Sequence, residues 1–482
     1  MSVIKKAFKG AIWLSLFRAI SQAFSWAATI IVARILVPED YGLMEMATIL
    51  TGYVALFSEL GLGTAIIQRE EIKDEELSSL FWLMVFWGFI LAFICIILAY
   101  PTVAIFNEKR ILRVTQSVSL LYIIGSFLIV PLNILHRELR FKAIGFIDAT
   151  SVIVSCSMMI IIAKLGGGVW TLIGGHIIRQ FVRVILVFFV LSWRPRLYFN
   201  FIKIKPYLKF GLNIAGANSL HYIYSKSDRF FGGRMLGANT LGYYSLALRL
   251  SAIPADKLVS LINTVSFPVF SRYQKNYDDF NNFYLKLVNI IAFITFPIYI
   301  GGIFIADQLI PLILGSKWIS LIFPFKLLCL AQLIISITTP NAMANSAQGR
   351  PHWGLYMGII NVFLLPFSFY LASKHGLNAL AIPWITVYPL LRFGFTWVTI
   401  RKLGISIFEY LRSIIHPLFA TMSMLVVLFL VKYLYFNNFS SLSVNLKSYL
   451  FLAIIIGAIS YTSYVLTFQR SLLISLLNLR KG

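Results

Sequence analysis

Charge is scarce in this chain of 482 residues. Asp, Glu, Lys and Arg make up 12% of it, and acids number 18 against 42 basic residues. A soluble domain carries about a quarter charged residues. With 59% hydrophobic residues and a mean hydropathy of +0.83, water is not this chain's main solvent. Cysteine is limited to Cys95, Cys156 and Cys329, each inside an apolar run, which excludes a disulfide framework and marks them as packing residues. The histidines include His352, His375 and His416 at the ends of apolar runs and show no metal-ligand spacing, so no metal or other cofactor is expected. No Walker A loop, nucleophile elbow or GxGxxG after a strand occurs, which argues against direct ATP coupling. Asp278-Asp279 has no supporting constellation, and the acidic run Glu70-Glu71…Asp74-Glu75-Glu76 reads as a solvated turn.

Long hydrophobic runs are abundant. Stretches of about twenty residues recur from Ala11 to Phe468, each long enough to cross ~30 Å of hydrocarbon as a helix. They are continuous rather than alternating, which excludes a lipid-spanning barrel. The expected fold is an all-α integral membrane protein with about 14 transmembrane helices. The spans fall near 11–36, 40–66, 79–103, 114–134, 146–165, 169–191, 211–235, 241–266, 285–306, 321–346, 354–373, 379–400, 413–434 and 448–468. The basic start resembles a secretory signal, but its apolar run is too long and no small-residue cleavage site follows.

The net charge of +24 raises nucleic acid as a partner, yet the basic residues lie in loops between spans, so no nucleic acid is expected. With the N-terminus inside, Lys5, Lys6, Lys9, Arg137, Arg140, Lys142, Arg194, Arg196, Lys203, Lys205, Lys209, Arg401 and Lys402 gather on the cytoplasmic side. Both termini are therefore expected in the cytoplasm.

A repeat runs through the chain at an offset of 200 residues. Arg34-Ile-Leu then Gly42 returns as Arg234-Met-Leu then Gly242, with a polar turn between in each case. Both hairpins start from the same side of the membrane. That predicts parallel repeats about an axis along the membrane normal, giving two pseudo-symmetric six-helix lobes. The lobes are expected at 1–200 and 201–402, with two further helices and a cytoplasmic tail at 403–482.

An ionisable residue at mid-membrane costs about 2.5–3.5 kcal/mol on insertion scales, so it persists where it faces protein or water. On the first span Ser15, Arg18, Gln22, Ser25 and Thr29 share one face. The second aligns Glu45, Thr48, Gly52, Ala55 and Glu59; the fifth, Asp148, Ser151 and Ser155; the sixth, His176, Arg179 and Arg183. The seventh carries Asn218, His221, Ser225 and Asp228 beside Lys226 and Arg229, and the eighth Ser245, Arg249, Ala252 and Asp256. Arg34, Lys164, Arg234 and Lys257 read as snorkelling groups. Arg18 and Arg249 lie deeper and read as cavity residues. Glu45, Glu59, Asp148, Asp228 and Asp256 have two readings, as neutralisers of nearby arginines or as ion-coupling groups. His221 reads as a satisfied hydrogen-bonding group, and Trp26, Tyr222 and Tyr224 as packing residues that are also able to stack on sugar rings.

The hairpin Val32-Ala33-Arg34-Ile35-Leu36…Tyr41-Gly42-Leu43 with Glu59-Leu60-Gly61-Leu62-Gly63 resembles the polysaccharide exporters of the multidrug/oligosaccharidyl-lipid/polysaccharide superfamily. So do Asp228-Arg229…Leu241-Gly242-Tyr243-Tyr244, Phe267-Pro268-Val269-Phe270-Ser271, Gly315-Ser316-Lys317-Trp318 and Gln348-Gly349-Arg350-Pro351. The similarity covers about 5–430 and is nearest the colanic-acid-type branch of O-antigen and exopolysaccharide flippases. It implies two lobes around a central cavity, alternating access in the bacterial cytoplasmic membrane, and a substrate in which an oligosaccharide is linked through pyrophosphate to undecaprenol. It also suggests a polysaccharide polymerase and chain-length machinery as partners alongside membrane lipids.

Arg18 stands where a cation-exporting antiporter would place a carboxylate. A guanidinium fork suits phosphate oxygens. Arg18 and Arg249 are the expected substrate ligands, joined by Gln22, Arg179, Lys226 and Arg229. Transport then needs no covalent chemistry, and a proton or sodium gradient or the membrane potential supplies the drive. The alternatives are an ion-coupled multidrug antiporter, which a cationic cavity opposes, and a membrane polymerase or ligase, which the short outer loops oppose.

Overall fold

The computed structural model describes residues 3–59, 66, 72–438 and 446–468. Glu70, Glu71 and residues 60–63, together with the side chains of Lys5, Lys6, Lys9, Lys203, Lys205, Lys209, Lys257 and Phe267, lie outside the described residues. The elements in chain order are α1 (Val3–Ile35), α2 (Pro38–Ala55), α3 (Asp74–Phe106), α4 (Ile111–Val118), α5 (Leu120–Arg137), α6 (Phe141–Lys164), α7 (Val169–Val190) and α8 (Phe201–Tyr273). There follow α9 (Tyr277–Leu314), α10 (Ile322–Thr338), α11 (Pro340–Ala347), α12 (His352–Ser373), α13 (Leu377–Leu380), α14 (Val387–Leu403), α15 (Ile407–Asn438) and α16 (Leu446–Phe468).

No strand occurs among the described residues, and eleven helices there are long and apolar enough to cross a membrane. The apolar surface faces outward, as a bilayer requires. On α3, Phe86, Phe89, Phe93, Ile97 and Tyr100 recur at helical spacing and are each more than half exposed. The chain is a multi-pass membrane protein. The three expected spans not among the eleven are those at 40–66, 211–235 and 241–266, three of the six spans that carry polar stripes.

The chain folds into two compact units, Met1–Ser245 and Leu246–Gly482. In the first, α1 packs along α6, α6 along α7, and α3 along α5. Small residues permit the close approach: a Cβ on Gly145 would lie 2.9 Å from the Phe17 ring, and one on Gly88 would lie 2.6 Å from Ser126 Cβ. Leu80, Phe81, Met84, Leu135, Ile147 and Val187 form the core, and Phe81 makes edge-on contacts with Trp82, Phe127, Phe188 and Trp193. In the second unit Phe280, Tyr284, Val288 and Ala292 of α9 repeat at near-helical spacing and meet Ile337, Ala344 and Ile400. α15 and α16 pack through Ala420, Met424, Leu428, Tyr449 and Ala453.

Several helices end where local chemistry dictates. α2 opens with Pro38 in its first turn, followed by Glu39 and Asp40, and the Val37 amide donates to Asp40 Oδ2 at 3.1 Å. It was expected to run to 66 but ends at Ala55. Its last turn tightens, with the amides of Leu56, Phe57 and Ser58 each donating three residues back and Ser58 Oγ donating to the Ala55 carbonyl. Trp87 Nε1 then takes up the free Phe57 carbonyl at 2.9 Å. The span expected at 379–400 is likewise broken, into α13, a short 3₁₀ turn at Ile382–Trp384 and α14. Pro383 in that turn lacks the amide a continuous helix needs. Within α8, Gly237 adopts φ 80°, the left-handed conformation that only glycine holds cheaply, and divides the helix into two arms.

Candidate functional site

The unwinding of α2 places Ser58 and Glu59 on the wall of a cavity of about 280 Å³ in the first unit. Tyr122, Ser126 and Asn133 of α5 and Gln180 and Arg183 of α7 complete its polar lining. Tyr122 donates its hydroxyl to the Thr51 carbonyl, tying α5 to α2, and Asn133 Nδ2 donates to the Ile129 carbonyl at 2.7 Å. Arg183 Nη2 lies 3.0 Å from Asp148 Oδ1 on α6, an ion contact without the alignment of a hydrogen bond. Asp148 Oδ1 and Arg183 Nε are buried and have no hydrogen-bond partner, so both keep unused capacity.

Charge of one sign collects around this pair. The half-buried ring of His136, at the end of α5, feels the charges of Asp148, Arg18 and Arg183, and Arg179 feels those of Arg183 and Asp148. Arg18 and Arg179 are exposed and make no ion pair among the described residues, and Gln22 is half-buried one turn beyond Arg18. Three guanidinium groups thus stand against the carboxylates of Asp148 and Glu59.

A second charged group joins α2 to the first arm of α8, and here the charges satisfy one another. Lys226 Nζ and Arg229 Nη1 both lie 3.1 Å from Glu45 Oε1, and Arg229 Nε is 3.3 Å from Asp228 Oδ1. Tyr244 donates its hydroxyl to Asp228 Oδ2 at 2.8 Å, and Arg229 Nη2 donates to the Ser225 carbonyl at 2.6 Å. Asp228 is fully buried. Two cations and two acids make a neutral set, so Glu45 and Asp228 neutralise Lys226 and Arg229 in this conformation. Tyr222 donates to the Ile49 carbonyl at 2.8 Å and His221 Nδ1 meets Tyr224 Oη at 2.7 Å, so both tyrosines are engaged in packing, whereas Trp26 is exposed.

The two repeated hairpins meet inside the first unit. A Cβ on Gly42 would lie 1.8 Å from the Ala238 carbonyl oxygen, and one on Gly242 would lie 1.7 Å from the Pro38 carbonyl oxygen. Each glycine faces the residue four positions before its counterpart, a local two-fold contact of backbone on backbone.

Arg249 and Asp256 belong to the second unit, where both are exposed at a seven-residue spacing on one helix face. That unit also holds a buried network absent from the sequence-derived candidates. Asn341 Nδ2 donates to Thr396 Oγ1 at 2.7 Å, Asn345 Nδ2 donates to Thr399 Oγ1 at 2.8 Å, and Tyr284 donates to Asn341 Oδ1. Its only sequence signal is the i, i+4 asparagine pair opposite an i, i+3 threonine pair. His136, Asn133 and Gln180 were likewise missed in the first unit: His136 and Asn133 lie at a span end, and Gln180 sits mid-span beside the stripe of His176, Arg179 and Arg183.

The family model described as polysaccharide biosynthesis protein matches residues 31–323, which include both hairpins and, apart from Arg18 and Gln22, the two charged groups of the first unit. The chain belongs to the polysaccharide biosynthesis protein family. Among relatives of this family member, the lipopolysaccharide biosynthesis protein WzxC of Escherichia coli is 26% identical over 89% of this chain and 88% of its own. The teichuronic acid biosynthesis protein TuaB of Bacillus subtilis is 23% identical, with 89% of each chain covered. Among solved structures, the lipid II flippase MurJ in an inward closed conformation matches with a TM-score of 0.75 at 16% identity, covering 96% of this chain and all of its own. This polysaccharide biosynthesis family member therefore shares the MurJ fold.

Proposed function

We propose that the protein is a flippase that moves undecaprenyl-pyrophosphate-linked oligosaccharide repeat units across the bacterial cytoplasmic membrane for surface polysaccharide assembly. It is a transporter and not an enzyme. The observation that carries this reading is the cationic excess on the spans of the first unit, where Arg18, Arg179 and Arg183 outnumber the acids around them. Guanidinium forks bind phosphate oxygens through paired donors, and Arg18 and Arg179 make no ion pair among the described residues. Gln22, one turn along α1, is placed to take a sugar hydroxyl. The family membership and the names of the relatives support the substrate class.

Counting α2 and the two arms of α8 with the eleven apolar helices gives fourteen spans. They are grouped as six, six and two, in lobes at 1–200 and 201–402 with a C-terminal pair, and both termini lie in the cytoplasm. Arg249 is the second lobe's contribution to substrate binding. The pyrophosphate enters a cavity open to the cytoplasm while the polyprenyl tail stays in lipid, and alternating access releases it outside. An inside-negative potential of 100 mV favours outward movement of one negative charge by about 2.3 kcal/mol, so the potential drives the loaded stroke. Ion coupling through Glu59 or Asp148, or through Glu45, Asp228 or Asp256, is the second route by which a gradient enters the cycle. A polymerase and chain-length machinery take the product on the outer face.

The test is deletion of the gene followed by rescue. Loss of surface polysaccharide with the lipid-linked repeat unit retained on the cytoplasmic side is expected, and Arg18→Ala, Arg179→Ala and Arg249→Ala should each fail to rescue fully. Wild-type rescue by all three would remove the site assignment, and unchanged polysaccharide on deletion would remove the function.

A further inference from the structure

A groove of about 580 Å³ lies in the first unit between the start of α1 and the turn that joins α5 to α6, and it shares no residue with the cavity beside Arg183. We propose that it binds an anionic phospholipid, the phosphate on its basic rim and the first methylenes along its aromatic wall. This inference stands independently of the transported substrate. The wall is built from Trp13 and Phe17, with ring centroids 5.8 Å apart, and from Phe146, 6.3 Å from Phe17. Trp13 and Phe146 are exposed at the end of a membrane-spanning helix pair, where indole rings and basic residues mark the level of lipid headgroups.

The rim is built from Arg140 and Lys142. Leu139 takes φ 56°, a left-handed conformation unfavourable for a leucine, and this turn ends α5 and swings Arg140 toward the groove. Arg140 Nη2 donates to the Val190 carbonyl at 3.2 Å, and Nη1 stands 3.6 Å from the exposed Glu138 carboxylate, too far for a hydrogen bond. The guanidinium is oriented yet keeps donors for an anion. Lys142 Nζ sits 5.0 Å over the Trp13 ring and makes no ion pair among the described residues. One cation above the aromatic wall and one beside it match a phosphodiester joined to a hydrocarbon chain. A zwitterionic lipid would bring its own ammonium to the same two cations, and a soluble anion would leave the aromatic wall unused.

The experiment uses the full chain, purified and delipidated in a neutral detergent. Retention of dioleoylphosphatidylglycerol, dioleoylphosphatidylcholine and inorganic phosphate is compared by mass spectrometry of the intact complex. Phosphatidylglycerol should be retained well above phosphatidylcholine. The double variant Arg140→Ala/Lys142→Ala should lose about thirtyfold in that affinity, and Arg140→Lys/Lys142→Arg should keep most of it. Phosphatidylglycerol brominated near the headgroup should quench tryptophan fluorescence less in Trp13→Phe. If the double variant fails to fold, Lys142→Gln alone should lose about fivefold. Equal retention of the two lipids, displacement by inorganic phosphate at equal concentration, native retention by the alanine or glutamine variant, or undiminished quenching in Trp13→Phe would each overturn the proposal.

Discussion

Gly42 lies so close to Ala238 that a Cβ on it would fall 1.8 Å from the Ala238 carbonyl oxygen, and Gly242 stands in the mirrored relation to Pro38. Neither neighbour is a flexible side chain that can turn away. Gly42→Ala and Gly242→Ala should therefore each force the two hairpins apart, at a cost of about 1–3 kcal/mol or more. The symmetry of the contact predicts losses of similar size from the two substitutions. Thermal unfolding of the purified protein measures them, and a wild-type midpoint for either variant would contradict the contact.

Glu45 accepts from both Lys226 and Arg229, whose side chains are 25% and 14% exposed. Glu45→Ala leaves two cations short of a partner. The expected loss is about 2 kcal/mol, below the ~3–5 kcal/mol of a fully buried pair because water still reaches the site. A double-mutant cycle of Glu45→Ala with Lys226→Ala should return a coupling of at least about 0.5 kcal/mol. Simple additivity would show that the pair contributes nothing.

Tyr244 donates to the fully buried Asp228, so Tyr244→Phe removes one bond from a carboxylate that cannot reach water. A loss of about 1–3 kcal/mol is expected, with Tyr244→Phe more costly than Tyr222→Phe, whose hydroxyl serves a backbone carbonyl and not a charge. The ranking of the two unfolding midpoints is the readout.

Outside the membrane spans, Arg110 Nη2 lies 2.7 Å from Glu108 and 2.6 Å from Glu39, and its hydrogen bonds hold the Glu108 carboxyl below its ordinary value of 4.5. A depressed folded value means that this contribution is fully present above the unfolded value and is lost as pH falls through the folded one. The difference in unfolding midpoint between wild type and Arg110→Ala should therefore be constant near neutrality and shrink as pH drops below about 4.5. The pairs are exposed, so the effect is small and should weaken further in salt. A difference that grows on acidification would reverse the assignment.

Composition and run length by themselves determined that this chain lives in a bilayer as helices, because a residue's transfer cost depends on what it is and hardly on its neighbours. The 200-residue repeat was also legible, since Arg34, Gly42, Arg234 and Gly242 keep their spacing. Helical periodicity placed Arg18 and Gln22 on one face and Arg179 and Arg183 on another. Periodicity reports a face and not what that face meets. Only the tertiary structure decided that Lys226 and Arg229 are neutralised by Glu45 and Asp228 while Arg18 and Arg179 make no ion pair among the described residues, and that α2 unwinds at Ala55 so that Glu59 lines the same cavity as Arg183. Pairing depends on distances of 3–4 Å between residues far apart in the chain, and no local pattern carries that information.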